Sequence, residues 1–557
     1  MSRLYQKIKG SLGVGIFAFF LFSSSLFSNA LAFQDASSEV ILKSLQKQPN
    51  HIFLNKLYRQ VLFMPIWMHE KGLSPSAKAL FHLIENEGTL EEGGPVLQAA
   101  FSLESEANNL YAKGGTLPEK MHLEFKISQL YKAFTDYAYL GSINWGAFQA
   151  RIANLRVNDV KTEWVLHRPT VNPALLVERA MLGEPLDKLL QQAIPTAYHY
   201  RALQEALKRY MALAKEGGWE AYRVTTKLTR GMMHEDVRKL RARLAMTNDY
   251  EVCSDTTIVD DVYGACLEKA VKHFQARHGL LVDGVVGTGT QRHLNESVTH
   301  VIEKIRLNLD RIKWLAKRSG NRHIIINIPA FRLYFEENGE LIQTMRVVTG
   351  KPNHPTPIFS DTVEYIVLNP YWNVPKSIIQ KEFVPKLIRN PYAMERKGIE
   401  IRRGWGKNAE VIDPGSVDWS NYTEGHAMPF HFAQLPGKRN ALGKVKFLFP
   451  NKFAVYMHDT PSKSLFSRTK RAFSHGCIRL QKPRELLRTF STFNSNIDFD
   501  AAQKQLEGKT KKSIALKKRV PVDIVYLTAW VDYEGVLQLR DDVYGYDKMQ
   551  LKSFRHW

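Results

Sequence analysis

Near the C-terminal end, Ser474-His475-Gly476-Cys477-Ile478-Arg479-Leu480 sets a thiol, an imidazole, a guanidinium and a glycine side by side, and a second imidazole, His458, lies upstream. These residue types suit a cysteine nucleophile that attacks a carbonyl. A free thiol has a pKa of about 8.5 and is mostly protonated at neutral pH, so it needs a base. His458, at the end of an alternating apolar run, is the candidate base. Its tautomer needs a third group, and two rivals stand next to it: a backbone carbonyl near Asp459 and the Asp459 carboxylate. Gly476 would let the N–H groups of His475, Gly476 and Cys477 approach a developing oxyanion. Ser474, Tyr456 and Arg479 are the candidate substrate contacts, and Arg479 could equally hold the loop. The plain alternative is a buried structural cysteine with histidines nearby.

Cysteine usage and the N-terminus bear on that choice. The chain has three cysteines, Cys253, Cys266 and Cys477. In an oxidising compartment Cys253 and Cys266 are close enough to close a small disulfide loop, which leaves Cys477 as an unpaired, reactive thiol. Arg3, Lys7 and Lys9, the apolar run from Leu12 to Phe27 and then Ala30-Leu31-Ala32 have the layout of a secretory signal, residues 1–32. Cleavage after Ala32 is expected, and retention as an uncleaved membrane anchor is the alternative. No later stretch is long and apolar enough to span a bilayer. The net charge of +22 favours an anionic surface: nucleic acid, anionic lipid or an acidic envelope polymer. No RNP-like motif, zinc finger or basic zipper is present, which argues against nucleic acid.

The elements that must position these groups divide 557 residues into several domains. Residues 36–220 read as a helical scaffold. Leu203, Ala206, Leu207 and Tyr210 make a helical stripe there, and such stripes point to core packing. Residues 228–298 form a compact helical unit, with stripes at Val237, Leu240, Leu244 and at Leu267, Ala270, Val271, Phe274. A turn at Asp283-Gly284 follows, and Thr288 or Thr290 is placed to cap a last helix. From about 320 to 540 the pattern becomes mostly β. Hairpins are expected at Asn338-Gly339, at Pro450-Asn451 and at Glu534-Gly535, the last between 522–532 and 536–539. The period changes between about 376 and 432 to a helix (Ile378 to Ile388) and a polar stretch with Trp405 and Trp419. That segment reads as an insertion able to cover the site. Residues 541–557 read as a C-terminal tail.

Two resemblances follow from these motifs. Ala270-Val271-Lys272-His273-Phe274-Gln275, His278-Gly279-Leu280 and Asp283-Gly284-Val285-Val286-Gly287 resemble the three-helix peptidoglycan-binding module, with the loop carrying Cys253 and Cys266 as an apparent insertion. The catalytic region resembles the L,D-transpeptidase (YkuD) domain. It does so through Thr349-Gly350-Lys351, Thr356-Pro357, the run Asn369 to Pro375, Asn440-Ala441-Leu442-Gly443, His458 and the Ser474 to Leu480 motif. The combination resembles the large periplasmic type of Gram-negative envelopes. It implies a multidomain α+β chain: helical scaffold, three-helix binding module, and a mostly β catalytic domain with an inserted lid.

By that resemblance Cys477 is the nucleophile, His458 the base, His475 and Gly476 flank the oxyanion hole and Tyr456 lines the site. The implied reaction takes a tetrapeptide stem, releases D-alanine, holds the acyl group as a thioester and passes it to a second stem as a 3→3 cross-link. It needs no metal or other cofactor, and acylation of Cys477 by carbapenems is expected. Partners would be peptidoglycan stems and glycan, with loose contact to an anionic membrane or envelope surface. The acceptor stays open between a stem, a lipoprotein lysine, a free D-amino acid and water, and the oligomeric state is not legible. Sortases share the order His, Cys, Arg but lack Ser-His-Gly-Cys. NlpC/P60 and papain-like peptidases place the cysteine first. A non-catalytic wall-binding protein is the alternative of another class.

Overall fold

The computed structural model describes residues 24–47, 50–157, 163–165, 167, 171–192, 195, 198–222, 226–250, 260–315, 320–404 and 409–554. The charged start and most of the apolar run of the expected export signal lie outside them, as do Cys253 and Trp405. A helix, Ser24–Gln46, runs through the expected cleavage position. No helix among the described residues is long and apolar enough to cross a membrane.

The N-terminal helices Ile52–Gln60, Pro75–Asn86, Pro95–Ala112, Leu117–Leu140 and Pro173–Met181 enclose one core that includes Leu57, Tyr58, Trp67, Phe81 and Tyr131. Proline in the first turn starts several of them, where its missing N–H costs nothing. Glu124 is fully buried in this core. Its carboxylate accepts the N–H groups of Ile66, Trp67 and Met68 and the Tyr58 hydroxyl. Burial nevertheless raises its pKa to about 7. The group pins the 64–68 loop and faces no catalytic partner.

Two helices of the 36–220 region pack outside the N-terminal core. Helix Trp145–Val157 gives Phe148 and Ile152 to the core of the β-rich domain. Helix Tyr200–Lys215 packs with Val298–Lys313 and Trp530 in a separate cluster. Periodicity shows which face of a helix is apolar and not which element covers it. The binding-module helices Asp236–Ala245, Ala265–Arg277 and Thr288–Leu294 share a core of Val237, Leu240, Leu244, Leu267, Val271, Phe274 and Leu294. The last of these helices is capped by neither threonine. Gly287 is its N-cap, and Thr290 Oγ1 donates to the Val285 carbonyl. Cys266 is disulfide-bonded and Cys477 is free.

The β-rich domain contains β1 (Arg322–Asn327), β2 (Arg332–Glu337), β3 (Glu340–Gly350), β4 (Phe359–Leu368), β5 (Trp372–Asn373), β6 (Ile399–Arg403), β7 (Glu410–Val411), β8 (Phe430–Gln434), β9 (Val445–Leu448), β10 (Met457–His458), β11 (Ala472–Ser474), β12 (Ile478–Leu480), β13 (Lys512–Val525), β14 (Ala529–Val531) and β15 (Leu537–Leu539). Its main sheet has the order β11-β3-β12-β10-β9-β4-β13-β1-β2, and a further β2–β3 pairing closes it on itself. Asn338 and Gly339 both adopt positive φ at the β2–β3 turn, as a tight hairpin requires. The third expected hairpin is shorter than its apolar run. Val522 to Val525 belong to β13, between β1 and β4, and only β14 and β15 pair across Glu534-Gly535.

The insertion has its own four-stranded sheet, β5-β8-β6-β7, and its own core around Ile379, Phe383, Leu387, Trp419 and Phe432. Its helix is continuous from Lys376 to Arg389 but widens to a π-turn at Ile379–Phe383. Pro385, which lacks an N–H and crowds the preceding turn, accounts for that widening. Residues 541–554 are no tail. Tyr546 is buried, helix Tyr546–Leu551 packs on the domain, and Asp542 accepts the Tyr526 hydroxyl at 2.7 Å.

Candidate active site

Three neighbouring strands build the site. Across β9, β10 and β12, Phe447, Met457 and Ile478 are in register and fully buried, so they face the core. The next row is Lys446, His458 and Arg479, and strand alternation turns it to the opposite face. Tyr456 and Cys477, two residues before His458 and Arg479, share that face.

His458 is 4 % exposed. Its Nδ1 lies 2.5 Å from the Asp459 carbonyl oxygen. A carbonyl only accepts, so Nδ1 carries the proton and the lone pair is on Nε2. The carbonyl is therefore the orienting group. The Asp459 carboxylate turns elsewhere, to the N–H groups of Lys444 and Thr460 and to Lys463 Nζ. Burial pushes the pKa of His458 down to about 3, and the charges of Arg479 and Lys446 on either side add to that. The Asp459 and Leu442 carbonyls oppose the shift.

Cys477 is half-buried on the loop between β11 and β12. Its Sγ is 3.9 Å from the Ala454 carbonyl oxygen and takes hydrogen bonds from the Tyr456 backbone and side chain. Burial pushes the thiol pKa up, while Tyr456, Lys446 and Arg479 pull it back. The Tyr456 phenol is itself held far above its ordinary range by burial and by Cys477, so it remains a donor. Among the described residues no hydrogen bond joins His458 to Cys477. The Tyr456 ring, whose hydroxyl bonds the thiol, is 5.7 Å from the imidazole.

The loop is shaped by internal bonds. Gly476 has φ +114°, which a side chain would strain. Its N–H donates to Ser474 Oγ at 3.1 Å, and the Ser474 hydroxyl donates to the Cys477 carbonyl at 2.5 Å. Ser474 is buried, and its hydroxyl is engaged on both sides in shaping the turn. The Gly476 N–H is thus already engaged within the turn. Thr356 Oγ1 donates to the Gly476 carbonyl at 2.9 Å and accepts the Gly350 N–H at 2.8 Å. Tyr544 Oη donates to the Gly350 carbonyl at 2.7 Å and accepts the Thr356 N–H.

His475 is exposed and contacts the insertion, its Nε2 2.8 Å from Glu382 Oε1. Arg479 is half-buried, and its Nε has no partner. Two residues in this arrangement escaped sequence reasoning. Lys446 sits in an apolar alternation whose polar face only the register reveals. Tyr544 sits in the presumed tail. Elsewhere, His293, Glu296 and Asp541 gather their ligand atoms. Arg292, Lys304 and Lys470 already pair with these carboxylates, so the group reads as an ion-pair joint between binding module and β-domain.

A neutral thiol beside a neutral imidazole has a kinetic signature. Alkylation of Cys477 by iodoacetamide is expected to rise about tenfold per pH unit from weakly acidic pH up past neutrality, following the thiolate fraction. A rate plateau near pH 5 would instead reveal a preformed thiolate–imidazolium pair.

Residues 321–509 match the family model of the L,D-transpeptidase catalytic domain, YkuD. Residues 53–207 match a scaffold domain, and residues 233–294 match the domain described as "putative peptidoglycan binding domain". A Haemophilus influenzae protein described as "Putative L,D-transpeptidase" is 31% identical over 252 residues, 45% of this chain and 49% of the relative. The chain thus spans about half the length of the curated relative it matches. Among solved structures, an L,D-transpeptidase from Stackebrandtia nassauensis is 16% identical, over 53% of this chain and 94% of that one, with a TM-score of 0.22. One from Mycobacterium smegmatis is 14% identical over 37% and 59%, with a TM-score of 0.17.

Proposed function

We propose that this chain, in which residues 321–509 match the L,D-transpeptidase catalytic domain and residues 233–294 a peptidoglycan-binding one, transfers acyl groups between wall stem peptides through Cys477. The observation that carries the reading is the single face on which an unpaired thiol, its Tyr456 donor and a neutral imidazole with Nε2 unprotonated stand together.

His458 Nε2 takes the thiol proton as the sulfur attacks the carbonyl between the third residue and the terminal D-alanine of a tetrapeptide stem. The N–H groups of His475 and Cys477 receive the oxyanion. The C–N bond breaks, the imidazolium returns the proton to the departing D-alanine amine, and a thioester remains. The side-chain amine of a second stem's diamino acid then attacks. His458 accepts its proton and hands it to the leaving thiolate, which yields a 3→3 cross-link and the starting enzyme. The Glu382–His475 contact supports a role for the insertion as a cover over the loop. The N-terminal segment would direct the chain to the periplasm, and the net charge of +22 suits an anionic envelope.

The test is mass spectrometry of the products from the full mature chain and purified disaccharide-tetrapeptides. Dimers that have lost one D-alanine are expected. Tripeptide monomers alone would make the protein a carboxypeptidase, and unchanged tetrapeptides would end the acyl-transfer reading.

A further inference from the structure

Lys446 has no role in the reaction just described, yet it stands in the same cross-strand row as His458 and Arg479. Its Nζ lies 3.6 Å from the centroid of the Tyr456 ring, the ring that hydrogen-bonds Cys477. That is close for a cation on an aromatic face. Among the described residues no carboxylate pairs with it. The charges it feels are Cys477, which favours its protonated form, and Lys511, which opposes it. Half-buried lysines normally find an anion, because an ammonium withdrawn from water is costly. Here the acidic group whose charge it feels is the thiol.

We propose that Lys446 is a positioning residue of the acyl-transfer site: its ammonium, held on the Tyr456 ring, supplies the positive field in which the Cys477 thiolate develops, and it adds to the burial and the Arg479 charge that keep His458 a neutral proton acceptor. The proposal rests on Cys477 and His458 being the reacting pair. A positive charge disfavours a second one on the imidazole next to it and favours a negative one on the sulfur. The groups facing His458 are Arg479 on β12, Lys446 on β9, and Tyr456 and Cys477. The Asp459 carboxylate is occupied by Lys463 and by backbone N–H groups. Arg479 shares the task from the other side, but only Lys446 can switch off. Burial lowers its pKa to about 8, so its charge is present at neutral pH and fades in mild alkali.

The experiment is the pH dependence of Cys477 alkylation by iodoacetamide in the full chain, for the wild type, Lys446→Met, Lys446→Gln and Lys446→Arg. Thermal melts run alongside to confirm folding. Both neutral variants are expected to alkylate about tenfold more slowly at pH 7, where the wild-type lysine is charged, and the gap is expected to close in alkali as that lysine loses its own proton near pH 8. Lys446→Arg, which keeps the charge, is expected to match the wild type at pH 7. Profiles of folded neutral variants that superpose on the wild type would overturn the proposal. So would an equal slowing in Lys446→Arg, which would trace the effect to packing. The alkylation readout needs no wall substrate. If muropeptides are left unreacted by the wild type while the neutral variants still shift the profile, the transpeptidase reading fails and the electrostatic role stands.

Discussion

Cys477→Ala is expected to eliminate cross-linking of tetrapeptide muropeptides, with turnover reduced by at least about 10³-fold, while the protein melts as the wild type does. The two halves of that expectation have separate origins. On the proposed reading, removing the sulfur removes the atom that holds the acyl group between donor and acceptor. A general base and oxyanion donors without it can at most assist water. The fold, in contrast, asks little of the sulfur. Its contacts are the two hydrogen bonds from Tyr456 and a weak one, 3.9 Å to the Ala454 carbonyl, and the loop around it is held by Ser474, Thr356 and Gly476 through atoms the substitution leaves in place. A buried structural cysteine would behave the other way, losing stability by about 1 kcal/mol or more and sparing activity. The paired measurement is product formation by mass spectrometry and a melting curve. Cross-linking at the wild-type rate would sink the nucleophile assignment, whatever the melt shows.

What the sequence made legible follows from the range of the interactions involved. Thiol, imidazole and guanidinium are recognisable by type and order, and Asn338-Gly339 is recognisable because a tight turn is local chemistry. The stripe Leu203, Ala206, Leu207 and Tyr210 lies buried along one helix, Tyr200–Lys215. Its partner, the helix Val298–Lys313, could not be read from it, because many apolar surfaces would satisfy the same stripe. The choice between the Asp459 carbonyl and carboxylate was also out of reach. It depends on Lys444, Thr460 and Lys463 claiming the carboxylate, and so on where the chain brings those donors. Lys446 is the clearest case. In Val445-Lys446-Phe447 it is simply the polar member of an alternating strand. It becomes part of the site only because β9 pairs with β10 in the register that sets it beside His458. A slip of one residue would have turned it into the core. The folded 541–554 segment escaped for a related reason. Its tyrosines look like an aromatic tail until Tyr544 is seen to bond Gly350 and Thr356.

That last contact leads to Gly350→Ala, a substitution remote in sequence from the thiol. Gly350 does not have a left-handed backbone, so its need for glycine is one of space. A Cβ there would sit 2.1 Å from the His354 carbonyl oxygen and 2.7 Å from the Thr356 nitrogen, both backbone atoms that cannot swing aside. The β3 end and the 354–356 segment must therefore part. Overpacking of this kind costs about 3 kcal/mol. The strain lands on the joint that holds the catalytic loop, since the Gly350 N–H bonds Thr356 Oγ1 and that hydroxyl bonds the Gly476 carbonyl. Gly476 stands directly before Cys477, so a shift of Thr356 moves the oxyanion donors relative to the sulfur. A misplacement of about 1 Å in such a site lowers turnover roughly 10²-fold. The expected result is a catalytic domain that still folds at moderate temperature, melts earlier, and cross-links about 10²-fold more slowly. Thr356→Val separates the two contributions. It introduces no clash but removes the hydroxyl that links Gly350 to Gly476, so it should lose turnover with a smaller loss of melting temperature. If Thr356→Val keeps full activity, the bond chain from Gly350 to the loop is not what positions Cys477. The Gly350→Ala defect would then be one of folding alone.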